Sequence, residues 1–251
     1  MRVGWLADEA TLTGGAELTQ AEFKVAAPDG VEIVDCPAEG VDPTCDLYVV
    51  HNCVGYERDR DFNWPGHKPV VKYWHDVGPH LQEGVKDWLN TNARPVCCSP
   101  VQADYMGLRD AVCIPPPVDL SRFEQVAASV NGDRAGFVSV GSWRNYGKAP
   151  HKAQEWGQAN GHSIDFYGDG MFRPVGSEGV PYDEMPALLA RYKTFVFLPM
   201  VLEPFGRLVV EAWAAGCEVI TNNLVGARYW IERDPDAIET AAEDFWAVVL
   251  S

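Results

Sequence analysis

The chain has 251 residues, 47% of them hydrophobic, enough for one large or two small cores. Its formal charge is −16 and the acid is spread throughout, with 9 basic and 18 acidic residues through Val118 and 11 and 18 beyond it. That balance argues against charge-driven binding to duplex DNA or anionic membranes.

Residues 2–7 predict a first strand, and Asp8 and Glu9 interrupt the apolar start, so no signal peptide is expected. The loop Thr13-Gly14-Gly15-Ala16-Glu17 then opens a helix that Pro28 has ended. Gly14 and Gly15 allow either an approach of backbone N–H groups to an anion or an ordinary tight turn. Residues 31–35 and 47–51 predict further strands. In the loop beyond them Asp59-x-Asp61 has the form of a metal-binding pair, but Arg58 and Arg60 neutralise it, and no metal is expected. Residues 69–74 form a strand that delivers His75-Asp76 at its C-terminal end, where open α/β sheets hold ligands. A single histidine there is either structural or ligand-facing. His51, His67, His80, His151 and His162 have no comparable context and no metal-ligand spacing. Helices are predicted over 81–90 and over 101–108, the second capped by Ser99 with Pro100 in its first turn.

After a short strand at 111–114, Pro115-Pro116-Pro117 makes a stiff connector that cannot continue a sheet. The expected domains are 1–118 and 119–251. The second restarts as α/β, with a strand at 136–140 running into Gly141-Ser142-Trp143-Arg144-Asn145-Tyr146-Gly147-Lys148. Two cations after a parallel strand suit a diphosphate, Arg144 through paired N–H groups and Lys148 as a point charge. Residues 164–170 read as the next strand and turn.

Residues 194–198 are a further strand, ended by Pro199, and Pro204 forbids helix just before Gly206. Leu208, Val209, Ala212, Trp213 and Ala215 then recur at helical spacing up to a stop at Gly216, and 217–221 is the next strand. The helix therefore aims its free N–H groups, at Phe205, Gly206 and Arg207, into the loop that carries Glu203. Such an end accepts a phosphate. Glu211, in the second turn, can reach a group beside that phosphate. Asp234-Pro235 opens a last amphipathic helix. Trp88, Trp156, Trp213, Trp230 and Trp246 fall on helices as core residues, whereas Trp143 belongs either to the core or to a cleft wall.

The run E-P-F-G-x4-E-A-x-A-A-G-x-x-V-I, from Glu203 to Ile220, resembles the Glu-x7-Glu motif of retaining glycosyltransferases of family 4. Gly14-Gly15, His75-Asp76 and the V-D-x3-F of Val118, Asp119 and Phe123 match other family segments in order. The resemblance implies the GT-B fold, two Rossmann-like α/β domains with mainly parallel sheets facing each other across a cleft. It implies an acceptor side in the first domain and a nucleotide-sugar donor side in the second. Glu203 would hold the sugar hydroxyls, Glu211 the ribose and Lys148 the diphosphate. His75 would line the sugar, Val180 the base, and Gly14, Gly15 and Arg144 would contact the donor. Transfer would proceed on the front face with no metal and no other cofactor.

The chain departs from the family at Ser142, where the family has Arg, and at Ala149, where it has Gly. It is also short, and its end is expected to lack the long C-terminal helix that crosses back over the first domain. The acceptor stays open among saccharide, lipid, protein, small molecule and modified nucleic-acid base. A non-catalytic nucleotide-sugar-binding or partner module, and an epimerase or hydrolase of nucleotide sugars, are the alternatives. Seven cysteines with no C-x-x-C pair predict reduced thiols in a cytoplasmic protein. No apolar run nears the roughly 20 residues that span a bilayer. The oligomeric state is not legible.

Overall fold

A computed structural model describes residues 1–7, 14–36, 41–51, 68–77, 91–130, 134–143, 146–172 and 174–251. Arg144, Asp59, Asp61, His67, His80 and the helix expected over 81–90 lie outside these residues. The chain divides into two compact units, Met1–Pro117 with Asp236–Ser251, and Val118–Pro235.

In the first unit the described strands form one parallel sheet in the order β2-β1-β3-β4-β5-β6. They are β1 (Arg2–Leu6), β2 (Glu32–Asp35), β3 (Leu47–Val50), β4 (Val70–Trp74), β5 (Arg94–Cys97) and β6 (Val112–Cys113). The central strands β3 and β4 are buried along their whole length, as covered parallel strands must be. One position breaks the apolar pattern. Lys72 of β4 is 1% exposed, with its ammonium 4.8 Å from the Trp74 ring centroid and donating to the His51 carbonyl at 2.7 Å. Helix α1 (Gly15–Val25) follows β1, and α2 (Pro100–Met106) follows β5 with the Ser99 hydroxyl accepting from the Gln102 N–H. The order places the reversal of strand sequence between β1 and β3, the switch point at which such sheets open a crevice.

The second unit carries a parallel sheet of β7 (Phe137–Val140), β8 (Ile164–Tyr167), β9 (Thr194–Phe197) and β10 (Glu218–Thr221), in the order β10-β9-β7-β8. The chain steps from β7 outward to β8, then returns to β9 on the other side of β7. The switch point therefore lies between the loops after β7 and β9. Helices α4 (Pro150–Ala159), α5 (Met185–Leu189) and α6 (Arg207–Ala214) join these strands, with α3 (Leu120–Ser129) before β7 and α7 (Ala227–Arg233) after β10.

The last helix, α8 (Asp236–Val249), corrects the expected domain assignment, because it belongs to the first unit. Its apolar stripe Ile238, Ala241, Phe245, Trp246 and Val249 is buried there. Phe245 stacks on Phe23 at 4.0 Å between ring centroids, and the Trp246 indole N–H donates to the Phe23 carbonyl at 2.8 Å. That carbonyl lies in the last turn of α1, where the helix offers no donor of its own. Helix α8 thus packs with the first unit, whereas the sequence reading placed it in the second. No helix among the described residues is long and apolar enough to cross a membrane.

Candidate functional site

At the switch point of the second sheet, the loop after β7 ends in a single 3-10 turn, Tyr146–Lys148. Lys148 is followed by Ala149 at φ 50°, a left-handed conformation that costs a residue with a Cβ about 1–2 kcal/mol. Pro150 then starts α4 with its φ preset. The strained residue lies directly after the cation. Trp143, by contrast, is fully buried, with its indole N–H donating to the Tyr167 carbonyl, so it is a core residue.

Across the switch point, the loop after β9 is held by its backbone. Met200 N–H donates to the Gly147 carbonyl at 2.8 Å, tying this loop to the turn of Lys148. Glu203 pairs with the loop before α7, its N–H donating to Leu224 and its carbonyl accepting from Gly226. Ala227 N–H then donates to Phe205 at 2.7 Å. Gly206 turns the chain into α6 at φ 85°, and a Cβ there would stand 3.1 Å from Val225 Cγ1 and 3.3 Å from Glu203 Cγ. Only glycine fits this turn without strain. The outcome is one contact: Lys148 Nζ is 3.0 Å from Glu203 Oε2, with both side chains partly open to solvent. The N-terminal turn of α6 begins four residues beyond Glu203.

Glu211 lies one turn along α6 and is 1% exposed. Its Oε1 accepts from Arg207 Nε at 3.0 Å and from the Tyr182 hydroxyl at 2.9 Å. Burial first, and then the Glu211 carboxylate, push the Tyr182 phenol up to about 12. Arg122 of α3 stacks 4.7 Å from the Tyr182 ring centroid and donates to its backbone carbonyl at 3.1 Å. Tyr182 and Arg122 were not legible as site residues. The available signals were their positions, Tyr182 two residues after Val180 and Arg122 inside the V-D-x3-F segment. Arg207 takes part through its side chain, not only through its backbone N–H. Val180 is half-buried on the stretch that leads into Tyr182.

In the first unit, Gly14 is the N-cap of α1 with an extended backbone. The Glu17 carboxylate folds back against it, so close that a Cβ on Gly14 would collide with it. This is the place an anion would take, so a ligand phosphate at Gly14 and Gly15 would have to displace an acid of the protein itself. His75 directly follows β4, partly buried, and its Nε2 is 2.7 Å from Nδ1 of His51. The sequence reading sets His51 aside, and the fold brings it to His75 because β3 and β4 are neighbours. The 74–76 turn is held from α2, where Gln102 Nε2 donates to the carbonyls of Trp74 at 3.0 Å and Asp76 at 2.7 Å. In the second unit His151 stacks on Tyr146 and His162 on Phe137. Among the described residues no cluster of three His, Cys, Asp or Glu side chains could hold a metal ion.

No protein-family model and no curated protein matches the sequence. Solved structures do match the fold. HepE (Alr3699) of Anabaena, solved with UDP and glucose, superposes with a TM-score of 0.64 at 17% identity, covering 99% of this chain and 94% of its own. AviGT4, a glycosyltransferase involved in avilamycin A biosynthesis, gives 0.62 at 16% identity, over 97% of this chain and 88% of its own. A glycosyltransferase from Rickettsia africae gives 0.61 at 13% identity, over 100% and 89%. At such identities the likeness establishes an α/β fold with parallel sheets, shared with glycosyltransferases.

Proposed function

We propose that this chain is a retaining, metal-independent glycosyltransferase of the GT-B type, similar to family 4, that moves a sugar from a nucleotide-sugar donor to an acceptor in the cytoplasm. The observation that carries the reading is the contact of Lys148 with Glu203 at 3.0 Å, at the switch point of the second sheet and beside the N-terminus of α6. A departing nucleoside diphosphate gains negative charge as the sugar becomes oxocarbenium-like. A fixed cation and a helix end stabilise that charge without reorganising. Lys148 and the first-turn amides of α6 take the diphosphate, with Arg144 as a second cation. The Glu203 carboxylate accepts hydrogen bonds from the sugar hydroxyls. Glu211, oriented by Arg207 and Tyr182, takes the ribose, and Val180 borders the base. His75 serves the sugar, and transfer proceeds on the front face with no enzymic nucleophile.

HepE has been solved with UDP and with UDP-glucose, so uridine donors are the first to test. The experiment is a screen of nucleotide sugars by thermal stabilisation, followed by donor turnover with and without added acceptors. At about 100 times its dissociation constant a true donor stabilises by roughly 2.7 kcal/mol. Stabilisation with no turnover for any acceptor would leave a nucleotide-sugar-binding module, and acceptor-independent turnover would mean a hydrolase or epimerase. Failure of every nucleotide sugar to stabilise the chain overturns the proposal.

A further inference from the structure

The His51–His75 contact has the wrong surroundings for two independently titrating histidines. His51 is 1% exposed and enclosed by aromatic rings. Trp5 stacks on it at 4.6 Å, and Tyr73, Phe23 and Phe245 close the remaining sides at 5.5, 6.0 and 6.1 Å. Its backbone is fixed at both ends, the N–H donating to Leu6 and the carbonyl accepting the Lys72 ammonium. Its Nδ1 meets His75 Nε2 at 2.7 Å, while its own Nε2 is buried with no hydrogen-bond partner among the described residues.

We propose that His51 is a positioning residue: it donates its Nδ1 proton to Nε2 of His75, so that His75 is held neutral with its own proton on Nδ1. The inference rests on the reading of His75 as a substrate-facing group. The geometry admits one proton between the two nitrogens. If His51 carried its proton on Nε2 instead, a buried N–H would be left without an acceptor, which native proteins rarely tolerate. With the proton on Nδ1 the unmatched atom is a lone pair, and the N–H is used.

The doubly protonated His51 is also disfavoured. Burial, then His75, Lys72 and Lys24 hold its pKa well below the ordinary histidine value. Among the described residues the charged and titratable groups facing it are therefore His75, Lys72 and Tyr73 from the β4 segment and Lys24 from α1. Protonating His75 on Nε2 would set two donors against each other at 2.7 Å. In this arrangement Nε2 of His75 is the acceptor of the pair and its proton stays on Nδ1. Gln102 reinforces this by clamping the carbonyls on either side of His75.

The test is nitrogen NMR of the histidine-labelled full chain, with turnover measured in parallel. His75 is assigned by its loss in His75→Gln. In the wild type, His75 should show a protonated Nδ1 and an unprotonated Nε2, unchanged as the pH falls through about 6.5, the ordinary histidine value. His51→Phe keeps a ring in the aromatic cage and removes the donor. His75 should then populate both tautomers and titrate, and turnover should fall roughly tenfold, the worth of one hydrogen bond. His51→Asn, whose amide can reach the place of Nδ1, should restore the wild-type spectrum and most of the turnover. A proton on His75 Nε2 in the wild type overturns the inference. So does a His51→Phe spectrum in which His75 is unchanged. Should His51→Phe fail to fold, the wild-type spectrum and His51→Asn still decide. If no nucleotide sugar is turned over, the proposed function falls while the tautomer of His75 still tests His51.

Discussion

Lys148 Nζ and Glu203 Oε2 stand 3.0 Å apart, one delivered by the turn after β7 and the other by the loop after β9. Under the proposed function these are the diphosphate cation and the sugar-binding carboxylate, and in the unliganded chain each neutralises the other. Binding a donor therefore exchanges one ion pair for another. Glu203→Gln should leave Lys148 with its full charge for a diphosphate. Nucleoside diphosphate affinity should rise about threefold, the scale of a partly exposed ion pair, while turnover falls by 100-fold or more, as for loss of a transition-state contact. Calorimetry with UDP and steady-state kinetics check the two halves. Lys148→Ala should lower turnover more than donor affinity, because the charge it meets grows as the bond breaks. Equal losses would remove the phosphate role.

Tyr182 holds Glu211 from outside its helix, and the carboxylate is almost fully buried. Removing the hydroxyl deletes a hydrogen bond to a buried charge, of the order of 1.5–3 kcal/mol. Tyr182→Phe should weaken UDP by about tenfold, which is ~1.4 kcal/mol. A sugar-modified analogue without the ribose hydroxyls should lose far less, since under the proposed function the carboxylate acts on the ribose. Competition binding with UDP and the dideoxy analogue decides it. An equal loss for both ligands would place Tyr182 elsewhere in the site.

His51 makes the stability of the chain depend on pH. Its folded pKa is depressed by burial, so between that value and about 6.5 the unfolded chain binds more protons than the folded one. Its contribution is fully present above about pH 6.5 and is lost as the pH falls below that, at up to roughly 1.4 kcal/mol per pH unit. Asp42 and Glu155, held below the ordinary carboxylate range by Thr44 and Lys152, act only at lower pH. Thermal melts from neutral to mildly acidic pH should therefore lose part of their slope in His51→Phe. An unchanged slope would mean that His51 is not buried neutral.

Helix α8 completes the core of the first unit. Phe245 contacts Phe23, Trp5 and Tyr73, and Trp246 caps a carbonyl of α1. Phe245→Ala should cost about 3–5 kcal/mol, as for a buried aromatic, and deletion from Asp236 onward should unfold the first unit. Denaturant melts followed by far-UV circular dichroism report it. Truncation that leaves the first unit melting normally would contradict the packing.

The alternation of strand and helix, the Ser99 cap, the Pro115–Pro117 break and the Gly206–Gly216 helix are all local properties. Spacing, capping chemistry and proline geometry are written in neighbouring residues, and so these features were legible in the sequence. So was the order of Lys148, Glu203 and Glu211 along the chain. What the sequence could not carry is which distant surfaces meet. The stripe on α8 states that the helix buries a face, but not that the face fits α1 and β1, because many apolar surfaces match one stripe. His51 looks like any buried histidine until parallel pairing of β3 with β4 brings it to His75. Tyr182 and Arg122 join Glu211 only because separate segments converge on α6. The contact of Lys148 with Glu203 depends on β7 and β9 being neighbours, with β8 displaced to the far edge. Strand order is set by burial and hydrogen bonding across the whole sheet, so only the tertiary structure decided which of these residues share a site.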